Sequence, residues 1–427
     1  MSIHWGGRGA GHISRLSTST TGVPTLALNF LLGALDPRVT FTRSSTATFV
    51  GSNGLIQSAA VDAPRFDYDP VTLAPRGFLI EETRTNLLLR SEEFDTASWG
   101  KVNLSTTANT TTAPSGAVTA DSIIENTAVS SYHQTSQTFT STAATTYSFS
   151  VFIKANGRDT ATMMLGAGAN FVFFAFNLTT ATVGAVQYAG STWSNGTASI
   201  TNFNNGWYRC VISGLVSNAA SYNAVVEINE GANRQYTGNG TSGLFVWGAD
   251  LEVGAFPTSY IPTVASTVPR SADVAQMTGT NFSSWYNQSE GTFVCNADTA
   301  DANTANRTIY YASNAGSTDI VYGVAGTLRT IRVLVSGSET GAVSAGIFTS
   351  NVPAKTAGAY KLNDFAGSFN GGAVATDTLG AVPTTVDRLT IGTNTALQSL
   401  LYLNGHVRSI SYYKTRLLNS QLQALTQ

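Results

Sequence analysis

Between Trp99 and about Pro262, apolar and polar residues alternate at every second position, the period of a strand with one face turned inward. In TYSFSVFIKA, Tyr147, Phe149, Val151 and Ile153 share one face, and Ser148, Ser150 and Lys154 share the other. The same pattern predicts strands at GWYRCVISGLV, YNAVVEINE and GLFVWGADLEV. FVFFAFNL, Phe171 to Leu178, is apolar on both faces and is expected to be covered on both. Short strands at regular turns, with hardly any helical period, predict a β-sandwich over residues 99–262. A connector with Pro257, Pro262 and Pro269 leads into a linker over residues 263–284. A second sandwich is expected over residues 285–427, from EGTFVCNADT through RTIYYAS, TIRVLVSG, YKLNDFAG and DRLTIG. HVRSISYY breaks the alternation and suggests a bulge. Leu418, Leu422 and Leu425 then take helical spacing, with Asn419 or Ser420 as N-cap.

Upstream, residues 26–98 hold short apolar pieces broken by GSNG and DAPRFDYDP, which predicts a small irregular β docking module. TLALNFLLGAL, Thr25 to Leu35, contains Asn29 and lacks a cleavage site of small residues, so it reads as a strand of this unit and not as a signal peptide. Residues 1–25 show no periodicity and several glycines, as a flexible N-terminal arm would. The expected class is all-β: an irregular module, two β-sandwich (jelly-roll) domains and a short C-terminal helix.

Composition narrows the function. Of 427 residues only 11% are charged, so hydroxyls and amides must cover the surface. A formal net charge of −2 with no basic run gives no footprint for nucleic acid. No segment approaches the ~20 apolar residues of a membrane-spanning helix, so membrane insertion is not expected. Two cysteines, Cys210 and Cys295, make neither a disulfide framework nor a zinc site. Cys210 alternates with Tyr208 and Ile212 and reads as a buried thiol, with a bridge to Cys295 left open.

Candidate chemistry is thin. Glu81 and Glu82 are adjacent, as are Glu92 and Glu93, and neighbours in a strand point apart, so neither pair can flank one glycosidic bond. Pairing with Arg84 and Arg90 is the better reading. His4, His12, His133 and His406 lie in no catalytic or metal motif, and His406, after a turn, is expected to be exposed. Asp67 to Asp69 reads as a turn rather than a calcium loop. Asp250 in GADLEV is the one weak metal candidate, for a structural calcium; no other cofactor is implied. Aromatics in turn-rich segments could stack on sugar rings, which nominates Trp193, Tyr188, Asn233 and Tyr236, whereas Trp207 and Trp247 read as core.

Three blocks carry a resemblance: T-R-S-S-T-A-T from Thr42, G-L-I-Q-x-A-A-x-x-x-P-R-F-D from Gly54, and L-I-E-E-x-R-T-N-L-L from Leu79. In this order they resemble a module of tailed-phage and prophage structural proteins. GWYRC and GADLEVGAFPTSYIPT resemble landmarks of a carbohydrate-binding-module-like sandwich, and the C-terminus resembles concanavalin A-like (laminin-G-like) domains. The resemblance implies a virion protein of the tail, collar, neck or fibre, made in the host cytoplasm. It implies a homo-oligomer, trimer or higher, touching other virion proteins of the tail, neck or portal region and host-surface glycans. It supplies no catalytic residue, so an enzyme is not expected. Glu81, Glu82, Arg84 and Asn86 are then read as a structural joint, anchored by Ile80 and Leu87 to Leu89. A glycan-binding receptor adhesin is the alternative, and a polysaccharide depolymerase the less favoured one.

Overall fold

The computed structural model describes residues 22–302, 307–325, 330–398 and 401–427; most of the expected arm lies outside them. The fold is all-β, with short helices at Thr280–Ser283 and Asn419–Leu425.

The first sandwich packs a six-stranded sheet against a seven-stranded one. The alternation explains its core: Tyr147, Phe149, Val151 and Ile153 meet Met163, Leu165, Cys210, Ile212 and Val226 between the sheets. Ser148 and Ser150, on the opposite face, are buried as well. The segment around Thr258 lies over that face, bonded to Glu252 and to Arg209. FVFFAFNL departs from expectation. Val172, Phe174 and Phe176 enter the core, but Phe171 and Phe173 are only half-buried and Ala175 is exposed. In place of a second layer on Phe173, the Arg234 guanidinium lies 4.0 Å from its ring centre.

The second sandwich joins an eight-stranded and a seven-stranded sheet. Its strand Gly405–Tyr413 pairs with Glu290–Ala297 on one side. On the other side it pairs with Leu26–Asn29, matching Leu26 to Tyr412, and with Pro75–Ile80, matching Phe78 to Val407. Thr40–Thr42 pairs with Val274–Thr278 in the opposite sheet. Most of the strands expected to form a separate docking module therefore complete this sandwich, while Ala47–Val50 and Ile56–Ala59 form a hairpin of their own. Phe78 is fully buried among Phe30, Phe41 and Phe66, with ring centres 5.4, 5.7 and 5.7 Å away, and shares a core with Phe293, Tyr310 and Ile410.

The expected linker is structured too. Val268–Arg270 pairs with Arg84–Asn86, and Phe282 and Trp285 are core residues of the second sandwich. In chain order the first sandwich is thus inserted into the second, and the outgoing and returning segments pair with each other. Phe78 and Ile80 belong to one core, whereas Leu88, Phe94 and Trp99 belong to the other. The bulge in HVRSISYY falls at Arg408, where the register steps from Asn296–Ser409 to Ala297–Val407. The last helix is capped at Leu418, not at Asn419 or Ser420, because the Gln421 side chain accepts the Leu418 N–H at 2.9 Å.

A fragment of residues 285–427 lacks Leu26–Ile80 and leaves Gly405–Tyr413 with an open edge and Phe293 with an incomplete core. It is expected to show no cooperative thermal transition by circular dichroism. A sharply melting fragment would contradict the shared sandwich.

Candidate functional site

The joint between the sandwiches is built by strand alternation. Glu81 and Glu82 point to different partners, as neighbours on an extended chain must. The Glu81 carboxylate meets Arg65 at 2.7 Å, pairs with Arg270, and accepts the Ser259 N–H and O–H, both at 2.7 Å. Arg65 also pairs with Asp273, which is 3.1 Å from Arg43 and accepts the Glu81 N–H at 2.9 Å. Burial raises the Glu81 carboxyl, but Arg270, Arg65 and the Ser259 bonds outweigh it and hold it at about 2. Glu82 takes Arg84 at 2.6 Å, and Arg84 lies over the Phe256 ring. Asn86 is wholly buried. Its amide donates to Ala249 and Ile261 carbonyls, and its oxygen accepts the Leu88 and Leu251 N–H groups. Arg90 pairs with Glu93 at 2.7 Å.

Asp250 does not present a calcium site. It is completely buried, with one oxygen accepting the Ile261 N–H and the other unpartnered. Burial and the neighbouring Glu252 push its carboxyl well above the usual range. Among the described residues no group of three His, Cys, Asp or Glu side chains could hold a metal ion. Cys210 and Cys295 are both buried and free, and burial pushes both thiols up.

A groove of about 330 Å³ opens between the sandwiches beside this joint. A smaller hollow of about 200 Å³ continues it, the two sharing Arg76, Asp298, Asn351 and His406. The groove draws Arg209 and Thr201 from the first sandwich, Asp298 and His406 from the second, and Asp67 and Arg76 from the N-terminal strands. His406, expected at the surface, is buried between two carboxylates, with Asp67 at 3.0 Å from Nε2 and Asp298 at 2.8 Å from Nδ1. Arg408 holds the other Asp298 oxygen at 3.1 Å. Burial disfavours the imidazolium, but Asp298 and then Asp67 outweigh it and raise the group to about 9. Each carboxylate lining the groove therefore has a cationic partner. Local sequence carried no signal for this cluster, because its members come from distant strands.

The four nominated sugar-binding residues do not form one platform. Trp193 is 4% exposed and packs edge-on against Tyr222 at 5.2 Å. Its turn is bulged, with Asn195 at φ 51°, and the ring faces inward. Tyr236 is 5% exposed; it donates to Glu125 at 2.6 Å beneath the Arg158 guanidinium. Tyr188 is exposed at a sheet edge, its hydroxyl accepting the Gly196 N–H, and Asn233 is exposed in the loop before Tyr236.

No family model matches the chain, and no curated protein matches it. Among solved structures, the CBM40 of a Ruminococcus gnavus IT-sialidase bound to α2,3-sialyllactose aligns at 17% identity and TM-score 0.27, over 33% of this chain and 83% of that one. The LG1–3 region of the laminin α2 chain aligns at 10% identity and TM-score 0.23, over 68% and 66% of the two chains. A Trypanosoma rangeli sialidase aligns at 10% and 0.28, over 77% and 62%. Overlaps this loose bring no residue correspondence and no activity with them.

His406 makes stability depend on pH. Its folded value of about 9 lies above the ordinary 6.5, so its contribution is complete below pH 6.5 and disappears as pH rises through 9. The unfolding free energy should fall by up to about 3 kcal/mol across that window. His406→Gln should remove this slope in urea titrations; equal slopes in both proteins would refute the assignment.

Proposed function

We propose that this chain is a non-enzymatic structural protein of a tailed-phage particle, placed in the tail, collar, neck or fibre. It would assemble as a homo-oligomer of three or more copies and hold two β-sandwiches at a fixed angle. One observation carries the reading: the charged residues at the fixed positions of the three sequence blocks converge on the joint and the adjoining groove. Arg43 comes from the first block, Arg65 and Asp67 from the second, and Glu81, Glu82 and Arg84 from the third; all are buried. A catalytic motif leaves its charges free for a substrate, whereas each of these is already paired, Arg43 with Asp273, Arg65 with Glu81, Asp67 with His406 and Glu82 with Arg84. Asp67 and Asp298 also argue against hydrolysis, since the His406 ring fills the gap in which a glycosidase would place the sugar or its water.

The groove favours a second role alongside the first, contact with glycans. Its hydroxyl and amide lining, with Ser199, Thr201 and Asn351 reaching it, offers edge hydrogen bonds to a sugar.

Immunogold electron microscopy of purified particles should label the tail, collar or fibre; unlabelled particles would overturn the structural reading. Asp273→Asn strips Arg43 and Arg65 of a shared partner. It should cost about 3–5 kcal/mol and deplete the chain from particles. Normal incorporation, quantified by mass spectrometry, would count against the joint as the assembly determinant.

A further inference from the structure

We propose that the groove takes an acidic glycan, with Arg209 as the receptor for a sugar carboxylate; this rests on the reading of the groove as a glycan contact.

Arg209 sits in the strand Trp207–Val216, where Tyr208, Cys210 and Ile212 turn toward the core or its margin and Arg209 turns outward to the groove. Its environment differs from that of the joint arginines. Arg43, Arg65, Arg84 and Arg270 each hold a carboxylate. Arg209 forms no ion pair among the described residues and is held by neutral groups alone. Nε and Nη2 donate to the Ser150 hydroxyl at 3.3 and 2.9 Å, and Nη2 donates to the Thr258 carbonyl at 2.9 Å. The Phe152 ring lies 5.7 Å beneath. These contacts fix the plane of the guanidinium and leave Nη1, with two of the five N–H donors, without a protein acceptor. Holding a fork in place before the ligand arrives lowers the entropy cost of binding a carboxylate.

The surrounding charges favour an anion there. Asp250, an acid that feels the Arg209 charge, is completely buried beside Glu252, and both raise its carboxyl well above the usual range. Asp67 and Asp298 are neutralised by His406 together with Arg408, and Glu81 by Arg65 and Arg270. Arg76 adds a second cation where the groove meets the smaller hollow, and its one ion-pair partner among the described residues, Asp69, is 3.9 Å away. An uncharged sugar would leave the Nη1 donors of Arg209 unanswered; a uronic or sialic acid would satisfy them. Thr201, paired with Arg209 across the strands, places an exposed hydroxyl beside the guanidinium for a ring hydroxyl.

The full chain would be tested against immobilised oligogalacturonate, hyaluronan tetrasaccharide and colominic acid, with maltotetraose and dextran as uncharged members. Binding to one or more acidic members, weakened by added salt and absent for the neutral ones, is the expected result. Arg209→Gln and Thr201→Glu should each reduce it at least tenfold, and the exposed Lys361→Gln should leave it unchanged. Thr201→Glu alters an exposed edge position, so it reports on binding if Arg209→Gln proves unstable. Equal binding to neutral members, or acidic binding indifferent to both groove variants, would overturn the carboxylate receptor and leave a glycan groove standing. Binding to no member would overturn both.

Discussion

Two buried carboxylates, Glu81 and Asp273, and the guanidiniums of Arg43, Arg65 and Arg270 around them set one sandwich against the other. Taking such charges out of water is costly, and an apolar joint of the same volume could be as stable. An apolar joint, however, tolerates sliding. Here Asp273 accepts the Glu81 backbone N–H while Glu81 accepts the Ser259 N–H, so the main chain itself is tied into the ionic cluster. The angle between sandwiches is then specified by directional bonds on three separate segments. Each carboxylate and guanidinium has a charged partner, although the Arg65 and Arg270 Nε groups find no acceptor, so losing one member leaves another buried charge unpaired.

The groove follows from that angle. Arg209 belongs to the inserted sandwich, His406 and Asp298 to the outer one, and Asp67 and Arg76 to N-terminal strands that complete the outer one. None of these segments alone makes the groove. A small rotation at the joint would separate Arg209 and Thr201 from Asn351 and Arg76, and one member of the cluster that resists rotation, Glu81, also lines the groove.

Local order was legible in the sequence wherever it depends on alternation. TYSFSVFIKA and WYRCVIS display their core faces directly, and the adjacency of Glu81 and Glu82 already implied different partners. The misplaced features depend on contacts distant in the chain. Nothing near Leu26 announces Tyr412, so strands of the second sandwich looked like an independent module. His406 follows an Asn-Gly turn and resembles a surface residue until Asp67 and Asp298 are brought to it from other strands. Trp193 sits among turn residues, yet the bulge at Asn195 reverses the expected facing of the ring. Asp250 and Glu252 alternate as an outward face should, but Thr258 and Ile261 close over them.

The insertion has a mechanical consequence. Leu26 and Tyr412 are partners across one ladder, so tension applied between them is carried by that pair of strands. The inserted sandwich lies off the line of force and feels none of the load. A pull on the inserted sandwich is shared by two connections that leave the joint side by side, Arg84–Asn86 and Val268–Arg270. The ladder can open one bonded pair at a time from the end where Leu26 and Tyr412 meet, whereas the inserted sandwich hangs on two chain connections at once.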